Sequence, residues 1–378
     1  MDTESDDNEI IYGISKYNNK SGVICYMNSI LAVLQQTPIL TDYILTAQFK
    51  EKLLENNPDK KTLTDSILFQ LYNLLNISHS YDNYNINPDA FRKAITKKDE
   101  MWGENQHQDS QEFLTFLLNS VEEEIAEKVK YIPGRNIYNN TARIISVEQN
   151  LINIMATNCW QKYLKNEYSI IKNLFGGSTH VSITCSYCGN KSHNFDIFQV
   201  LQLSISNDNK SLEDCLNDYI KEEKMDKDNM IKCNFCGRRN KSTKQTMIWN
   251  TPKILIIQLK RFRVNNYGVI TEKISNMIDY PINNLDISKY MNNNAMHINN
   301  NMHSIINTYN LYAVNNHHSI NSIGNFNSIN FGHYTTNVIN RYDNKWYKFD
   351  DSKSLVEITN EQNLISKNAY MLFYYRND

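Results

Sequence analysis

A cysteine becomes a nucleophile where its surroundings favour the thiolate, and the stretch Gly22-Val-Ile-Cys25-Tyr-Met-Asn-Ser-Ile-Leu31 offers such surroundings. Met27, Ile30, Leu31 and Leu34 recur at the spacing of one helical face, which predicts an amphipathic helix with Cys25 at its start. The unpaired N–H groups and positive dipole end of that helix stabilise a thiolate. A cysteine ahead of an apolar helix is, taken alone, more often a small core residue, so a base has to be found elsewhere. Gly332-His333-Tyr334-Thr-Thr-Asn-Val338 reads as a strand start, and Trp346-Tyr-Lys-Phe-Asp350-Asp351-Ser352 as the returning strand after a polar turn at Asp343-Asn344-Lys345. Such a hairpin sets an acid at the end of one strand beside a histidine at the start of the other. Cys25, His333 and Asp350 are then a candidate triad, in which the imidazole takes the thiol proton and the carboxylate holds the ring in the required tautomer.

A second group of residues suits a metal. Cys185-Ser-Tyr-Cys188 and Cys233-Asn-Phe-Cys236 supply four thiolates, the ligand set of a tetrahedral zinc ion. With all four positions taken by protein, such a site is structural rather than catalytic. Each pair is followed by a glycine, Gly189 or Gly237, which suits a tight turn whose N–H groups point at sulfur. Four reduced, unliganded cysteines are the other reading. Cys159 and Cys215 lack partners at metal spacing and read as packing residues.

The elements that must position these residues divide the chain in two. From Tyr12 to about Leu174 the apolar pattern is helical. Asp109-Ser-Gln-Glu112 is a capping signal, with Phe113, Leu117, Val121 and Ile125 on one face behind it. Beyond Phe175 the period changes. His180–Thr184, Phe198–Ile205, Ile254–Leu259, Tyr309–Val314 and Ala369–Tyr375 read as strands. A helical half followed by a strand-rich half predicts an α+β protein with its cleft where the halves meet. Residues 291–330 hold 14 asparagines in 40 positions and are not core material.

Length and composition narrow the function classes. At 378 residues the chain can bury a sizeable core, and a net charge of −2 gives no basic stripe for nucleic acid. No apolar run approaches the roughly 20 residues of a membrane span, and the acidic start Met-Asp-Thr-Glu-Ser-Asp-Asp-Asn-Glu9 is unlike a signal peptide. A soluble cytoplasmic or nuclear protein is expected. Seven cysteines, four of them in close pairs, fit a reducing compartment better than a disulfide scaffold.

These segments together resemble the ubiquitin-specific protease family, over roughly Tyr12 to Arg376. The matching boxes run in the family's order. They are Gly22 to Leu34, Gln108-Asp-Ser-Gln-Glu-Phe-Leu114, Phe175-Gly-Gly, the two Cys-x-x-Cys pairs, Pro252 to Phe262, Leu311-Tyr-Ala-Val-Asn315 with Gly332-His-Tyr334, and Trp346 to Ser352. The resemblance implies a papain-like cysteine protease fold: a helical thumb (about 12–174), zinc-bearing fingers (about 178–250) and a β-rich palm (about 251–376). It implies an acidic tail at 1–11 and asparagine-rich insertions at 291–308 and 316–331, the second bordering the groove for the ubiquitin tail or being a mere surface insertion.

The implied activity is hydrolysis of the isopeptide bond after the C-terminal glycine of ubiquitin. Ubiquitin and ubiquitinated proteins are the partners, one structural zinc the cofactor, and a monomer the expected state. Gln108, Asp109, Glu112 and Tyr334 take the place of residues that contact the ubiquitin tail, and His317 that of another histidine near the cleft. One departure concerns the oxyanion donor, for which the family uses an asparagine five positions before the cysteine. Here that position is Lys20. Asn19 through a one-residue bulge, Lys20 itself, or Asp351 with a water are the three substitutes. The departure leaves open a catalytically weak ubiquitin-binding scaffold, and a zinc-ribbon nucleic-acid binder is the third class.

Overall fold

The computed structural model describes residues 11–56, 60–80, 85–128, 147–164, 167–265, 267, 270–293, 295, 307–319 and 332–377. The acidic tail apart from Ile11, and most of both asparagine-rich insertions, lie outside these. Residues 316–319, which composition assigns to the second insertion, belong to a strand, Thr308–Ser319, whose last residue pairs with Gly332.

The first half is helical. Its main helices are Cys25–Leu34, Ile67–Ser78, Asp89–Lys98, Ser110–Ile125 and Val147–Leu164. The helix Ser110–Ile125 starts where its cap lies: Asp109 Oδ1 accepts the N–H groups of Gln111 (2.7 Å) and Glu112 (3.1 Å). All ten residues of the Cys25 helix are buried, including Asn28 and Ser29. The amphipathic helix read from its spacing is therefore apolar on the core side and enclosed on the other as well.

The second half is built on one large sheet. Its strands run, edge to edge, Val356–Ile358, Trp346–Phe349, Gly332–Ile339, Thr308–Ser319, Ala369–Arg376, Ile254–Lys260 and Val200–Ser204. All pairs are antiparallel except Ile254–Lys260 with Val200–Ser204. Period-2 alternation divides the side chains between two cores. Ile254, Ile256, Met371 and Phe373 face the core shared with the helices, while Leu255, Ile257, Leu372 and Tyr374 face the other. A four-stranded antiparallel sheet, Lys191–Phe198, Gly177–Cys185, Ser242–Asn250 and Glu223–Met225, carries the cysteine pairs at one end. Among the described residues no helix is long and apolar enough to cross a membrane.

The halves are joined by a buried polar seam. Asn315, fully buried on the strand Thr308–Ser319, donates to Ser29 Oγ of the Cys25 helix (2.9 Å) and accepts from Ser110 Oγ of the capped helix (2.9 Å). Thr336 Oγ1, on the strand that carries His333, donates to the Ser29 carbonyl at 2.8 Å. One amide thus registers two helices against the sheet. Asn315→Ala would strand the buried Ser110 hydroxyl and remove one bond from Ser29 Oγ, which keeps its bond to the Tyr26 carbonyl (2.9 Å), and should cost about 1–3 kcal/mol, one desolvation penalty. The check is the urea midpoint, and an unchanged midpoint would show the seam to be energetically idle.

Candidate active site

Cys25 opens its helix and is 1% exposed. Ile24 before it gives no side-chain cap, and of the first-turn N–H groups that of Met27 turns back onto the Ile24 carbonyl (3.0 Å). The backbone N–H groups of Tyr334, from the adjoining strand, and of Tyr26 and Cys25 lie near enough to the sulfur to favour its ionisation. From sequence, the helix terminus favours a thiolate, but burial outweighs it. Desolvation pushes the thiol up to about 11, and the charge of Asp351 adds to this against the smaller pull of the backbone N–H groups. The resting sulfur is a thiol.

His333 is the second residue of its strand, and Asp350 directly follows the last residue of the antiparallel partner. His333 Nε2 lies 2.6 Å from Asp350 Oδ1, and Lys353 Nζ donates to Asp350 Oδ2 at 2.8 Å. Burial alone would raise the Asp350 carboxyl, yet the bonds from Lys353 and His333 prevail and hold it below the usual range. With Nε2 committed to the carboxylate, Nδ1 is the nitrogen left to face the thiol. The sulfur's partners are backbone N–H groups rather than the imidazole, a looseness common before substrate tightens the site.

Asp351 is bound on every side. Its backbone takes φ 50°, uncommon for a residue with a side chain, and its carbonyl accepts the N–H of Tyr17 (3.2 Å). Asn19 Nδ2 donates to Asp351 Oδ2 (3.0 Å), and Asn28 Nδ2 to Asp351 Oδ1 (2.8 Å). Asn19 Oδ1 also accepts the N–H of Ile24 (3.3 Å). A turn from Asn19 to Gly22, closed by Gly22 N–H to the Asn19 carbonyl (3.1 Å), absorbs one extra residue. Gly22 supplies the positive φ of 76° that the turn needs. Lys20 rides on the exposed side of this turn. Asn28 was not singled out from the sequence. Its signal is a fully buried amide in an otherwise apolar helix, which must have a partner.

The four residues read as tail contacts divide by exposure. Asp109 is buried, and besides its two capping bonds it accepts from Tyr370 (2.6 Å) and Tyr334 (3.4 Å) through Oδ2. Four donors fill the roughly four lone-pair directions of a carboxylate. Tyr334 is buried with its hydroxyl on Asp109, and what it offers the site is its backbone. Gln108 is half-buried and Glu112 exposed. His317 is 1% exposed, with neither ring nitrogen hydrogen-bonded, and burial lowers it to about 3. Its ring lies over Gly332, where a Cβ would stand 1.9 Å from Nε2. Any side chain at position 332 would have to displace the buried His317 ring.

At the far end of the smaller sheet, Cys185 Sγ lies 4.0 Å from Cys236 Sγ and Cys188 Sγ 3.8 Å from Cys233 Sγ, with all four sulfurs within 4.8 Å of one another. A tetrahedron of sulfurs around zinc has edges of about 3.8 Å, from a Zn–S bond near 2.3 Å. The four cysteines can hold that ion. The two turns are alike in detail: Gly189 and Gly237 both take φ 71° and donate to the carbonyls of Cys185 and Cys233 at 2.9 Å. The N–H groups on sulfur are those of Cys188 (3.5 Å) and Phe235 (3.4 Å), rather than those of the glycines.

A family model described as ubiquitin carboxyl-terminal hydrolase matches residues 17–374. The chain is 29% identical over 359 residues to ubiquitin carboxyl-terminal hydrolase Usp2 of Drosophila melanogaster, covering 94% of this chain and 34% of that protein. It is 30% identical over 356 residues to human ubiquitin carboxyl-terminal hydrolase 2, covering 93% and 54%. The chain thus spans between a third and about half the length of these relatives. Among solved structures it is similar to the SAGA Ubp8/Sgf11/Sus1/Sgf73 DUB module bound to ubiquitin aldehyde, with TM-score 0.67, 23% identity, and 98% and 71% coverage. That likeness gives the helical and strand-rich halves the same α+β fold.

A thiol raised to about 11 has a simple chemical signature. Alkylation of Cys25 by iodoacetamide, followed by peptide mapping, should climb with pH by roughly a hundredfold from 7 to 9, since the thiolate fraction grows about tenfold per unit below the pKa. A rate already level at pH 6 would mean a preformed thiolate.

Proposed function

The chain belongs to the ubiquitin carboxyl-terminal hydrolase family, and from that premise we propose that it is a thiol-dependent deubiquitinase. The observation that carries this reading is the His333–Asp350 pair at 2.6 Å, on the strand whose next residue, Tyr334, has its backbone beside the Cys25 thiol. The ubiquitin aldehyde bound by the Ubp8 module supports the choice of substrate.

In the proposed reaction Cys25 Sγ attacks the carbonyl carbon of the terminal glycine of ubiquitin while its proton passes to His333 Nδ1. Asp350 keeps Nε2–H oriented and stabilises the imidazolium. The tetrahedral oxyanion takes hydrogen bonds from the Cys25 backbone N–H and from the second N–H of Asn19 Nδ2, the first being held by Asp351. The imidazolium then protonates the departing lysine amine, and a water deprotonated by His333 hydrolyses the thioester. Of the three substitutes for the missing asparagine, we take Asn19. Glu112 and Gln108 are the side chains we assign to the ubiquitin tail, with Asp109 acting through Tyr334 and Tyr370 as a positioning residue. One zinc on Cys185, Cys188, Cys233 and Cys236 would cross-link the fingers and supply no step of the reaction. We take the chain as one catalytic unit from 12 to 376, working as a monomer in the cytoplasm or nucleus.

Ubiquitin carrying a C-terminal electrophile should label Cys25 covalently, and Cys25→Ala should abolish both labelling and turnover. Binding of the probe without labelling would instead mark a ubiquitin-binding scaffold. Removing the side-chain donor by Asn19→Ala should lower kcat by about 10²–10³, the usual effect of losing one oxyanion donor. Lys20→Ala should change it little. A reversed order in steady-state assays would move the oxyanion role to Lys20.

A further inference from the structure

The tip of the smaller sheet holds a second surface that the proposed hydrolysis does not use. In each Cys-x-x-Cys turn the residue before the second cysteine is aromatic, Tyr187 or Phe235, and each is left in water, 60% and 62% exposed. The two rings flank the same four-sulfur centre, because Cys188 faces Cys233 and Cys185 faces Cys236. Large aromatic side chains this exposed at both turns contribute little to a core.

The charge around them is mainly positive. The segments 185–191 and 231–241 carry Lys191, Lys232, Arg238, Arg239 and Lys241, all exposed, and no acidic residue, while the adjoining stretch 226–230 adds Asp226, Lys227 and Asp228. Among the described residues none of the five is in an ion pair. The Arg238 guanidinium lies 4.0 Å over the Tyr187 ring, and Arg239 Nε donates to the Met230 carbonyl at 3.0 Å. Nearby Glu223 faces Lys244 at 3.8 Å. Four thiolates around a divalent ion bring two net negative charges, so the tip stays cationic when loaded. The whole-chain charge of −2 hides this local concentration.

We propose that this tip binds single-stranded nucleic acid. Exposed rings interleaved with unpaired cations suit unstacked bases on the rings and phosphates on the lysines and arginines. An acidic peptide would use the cations but leave the rings unexplained, and a duplex keeps its bases stacked away from them. The small Tyr187–Arg238 stack is itself a platform that a base can extend.

The test is fluorescence anisotropy with the zinc-loaded full chain and a fluorescein-labelled dT15, the same sequence as a duplex, and a fluorescein-labelled poly-glutamate peptide. At 50 mM salt dT15 should bind with a dissociation constant of about 1–100 µM. Raising salt to 200 mM should weaken it about 50- to 130-fold, the effect of four to five phosphates on a single strand. Tyr187→Ala and Phe235→Ala should each weaken dT15 about fivefold or more, whereas Tyr187→Phe and Phe235→Tyr should not. Zinc content and the thermal melt show whether each variant keeps its fold. No salt-dependent binding of dT15, tighter binding of the peptide or the duplex, or folded alanine variants that bind dT15 like the parent would each overturn the proposal.

Discussion

A helix buried on every side cannot be aimed by hydrophobic contacts alone, because apolar packing is tolerant of rotation and slip while hydrogen bonds are directional. The Cys25 helix is in that position, and its two buried polar residues do the aiming. Ser29 meets Asn315 and Thr336 of the sheet, and Asn28 meets Asp351 beside the histidine hairpin. Each bond crosses from the helical half to the strand-rich half. Since the sulfur and the imidazole come from different halves, their alignment is only as good as this seam. The same low dielectric that makes the bonds strong makes any misregistration costly, because it would leave several buried polar groups unpaired.

Burial has a chemical consequence. A helix N-terminus and three nearby N–H groups pull the thiol toward ionisation, and desolvation with Asp351 pushes it back further. In the proposed reaction the nucleophile is held as a thiol until a bound substrate brings the base into play. His333 suits that part because its ring is already locked by Asp350, which Lys353 in turn keeps ionised. Gly332 completes the arrangement by letting the buried, neutral ring of His317 lie directly under the strand that carries the base.

The loop before the Cys25 helix turns one asparagine inward although it stands six positions before the cysteine, and turns one residue beside it outward. The turn closed at Gly22 loops that residue, Lys20, into solvent and returns the Asn19 amide to Asp351. Asp351 accepts a left-handed backbone to be there, and three partners from the helical half hold it. Strain of this kind persists only where the surroundings over-determine it.

Much of this protein was legible in the chain itself. Periodicity gave the Cys25 helix, the capped helix after Asp109, the change from helices to strands near Phe175 and most of the strands, because those patterns record which faces meet a core. The paired cysteines declared a tetrahedral site because their spacing is local. Composition misplaced the end of one strand: Asn315, Asn316 and His317 look like loop residues, yet they are buried in the sheet, where the two asparagine amides meet partners from distant segments. Only the tertiary structure decided that Asn19 rather than Lys20 turns inward, that Asn28 meets Asp351, and that Asp109 spends its oxygens on a cap and two tyrosines. It also set burial of the Cys25 thiol against the pull of the helix terminus. The physical reason is common to all of these. Spacing along the chain fixes which side chains share a face. Hydrogen-bond saturation and desolvation depend on what the rest of the chain packs against that face, and no local pattern contains that information.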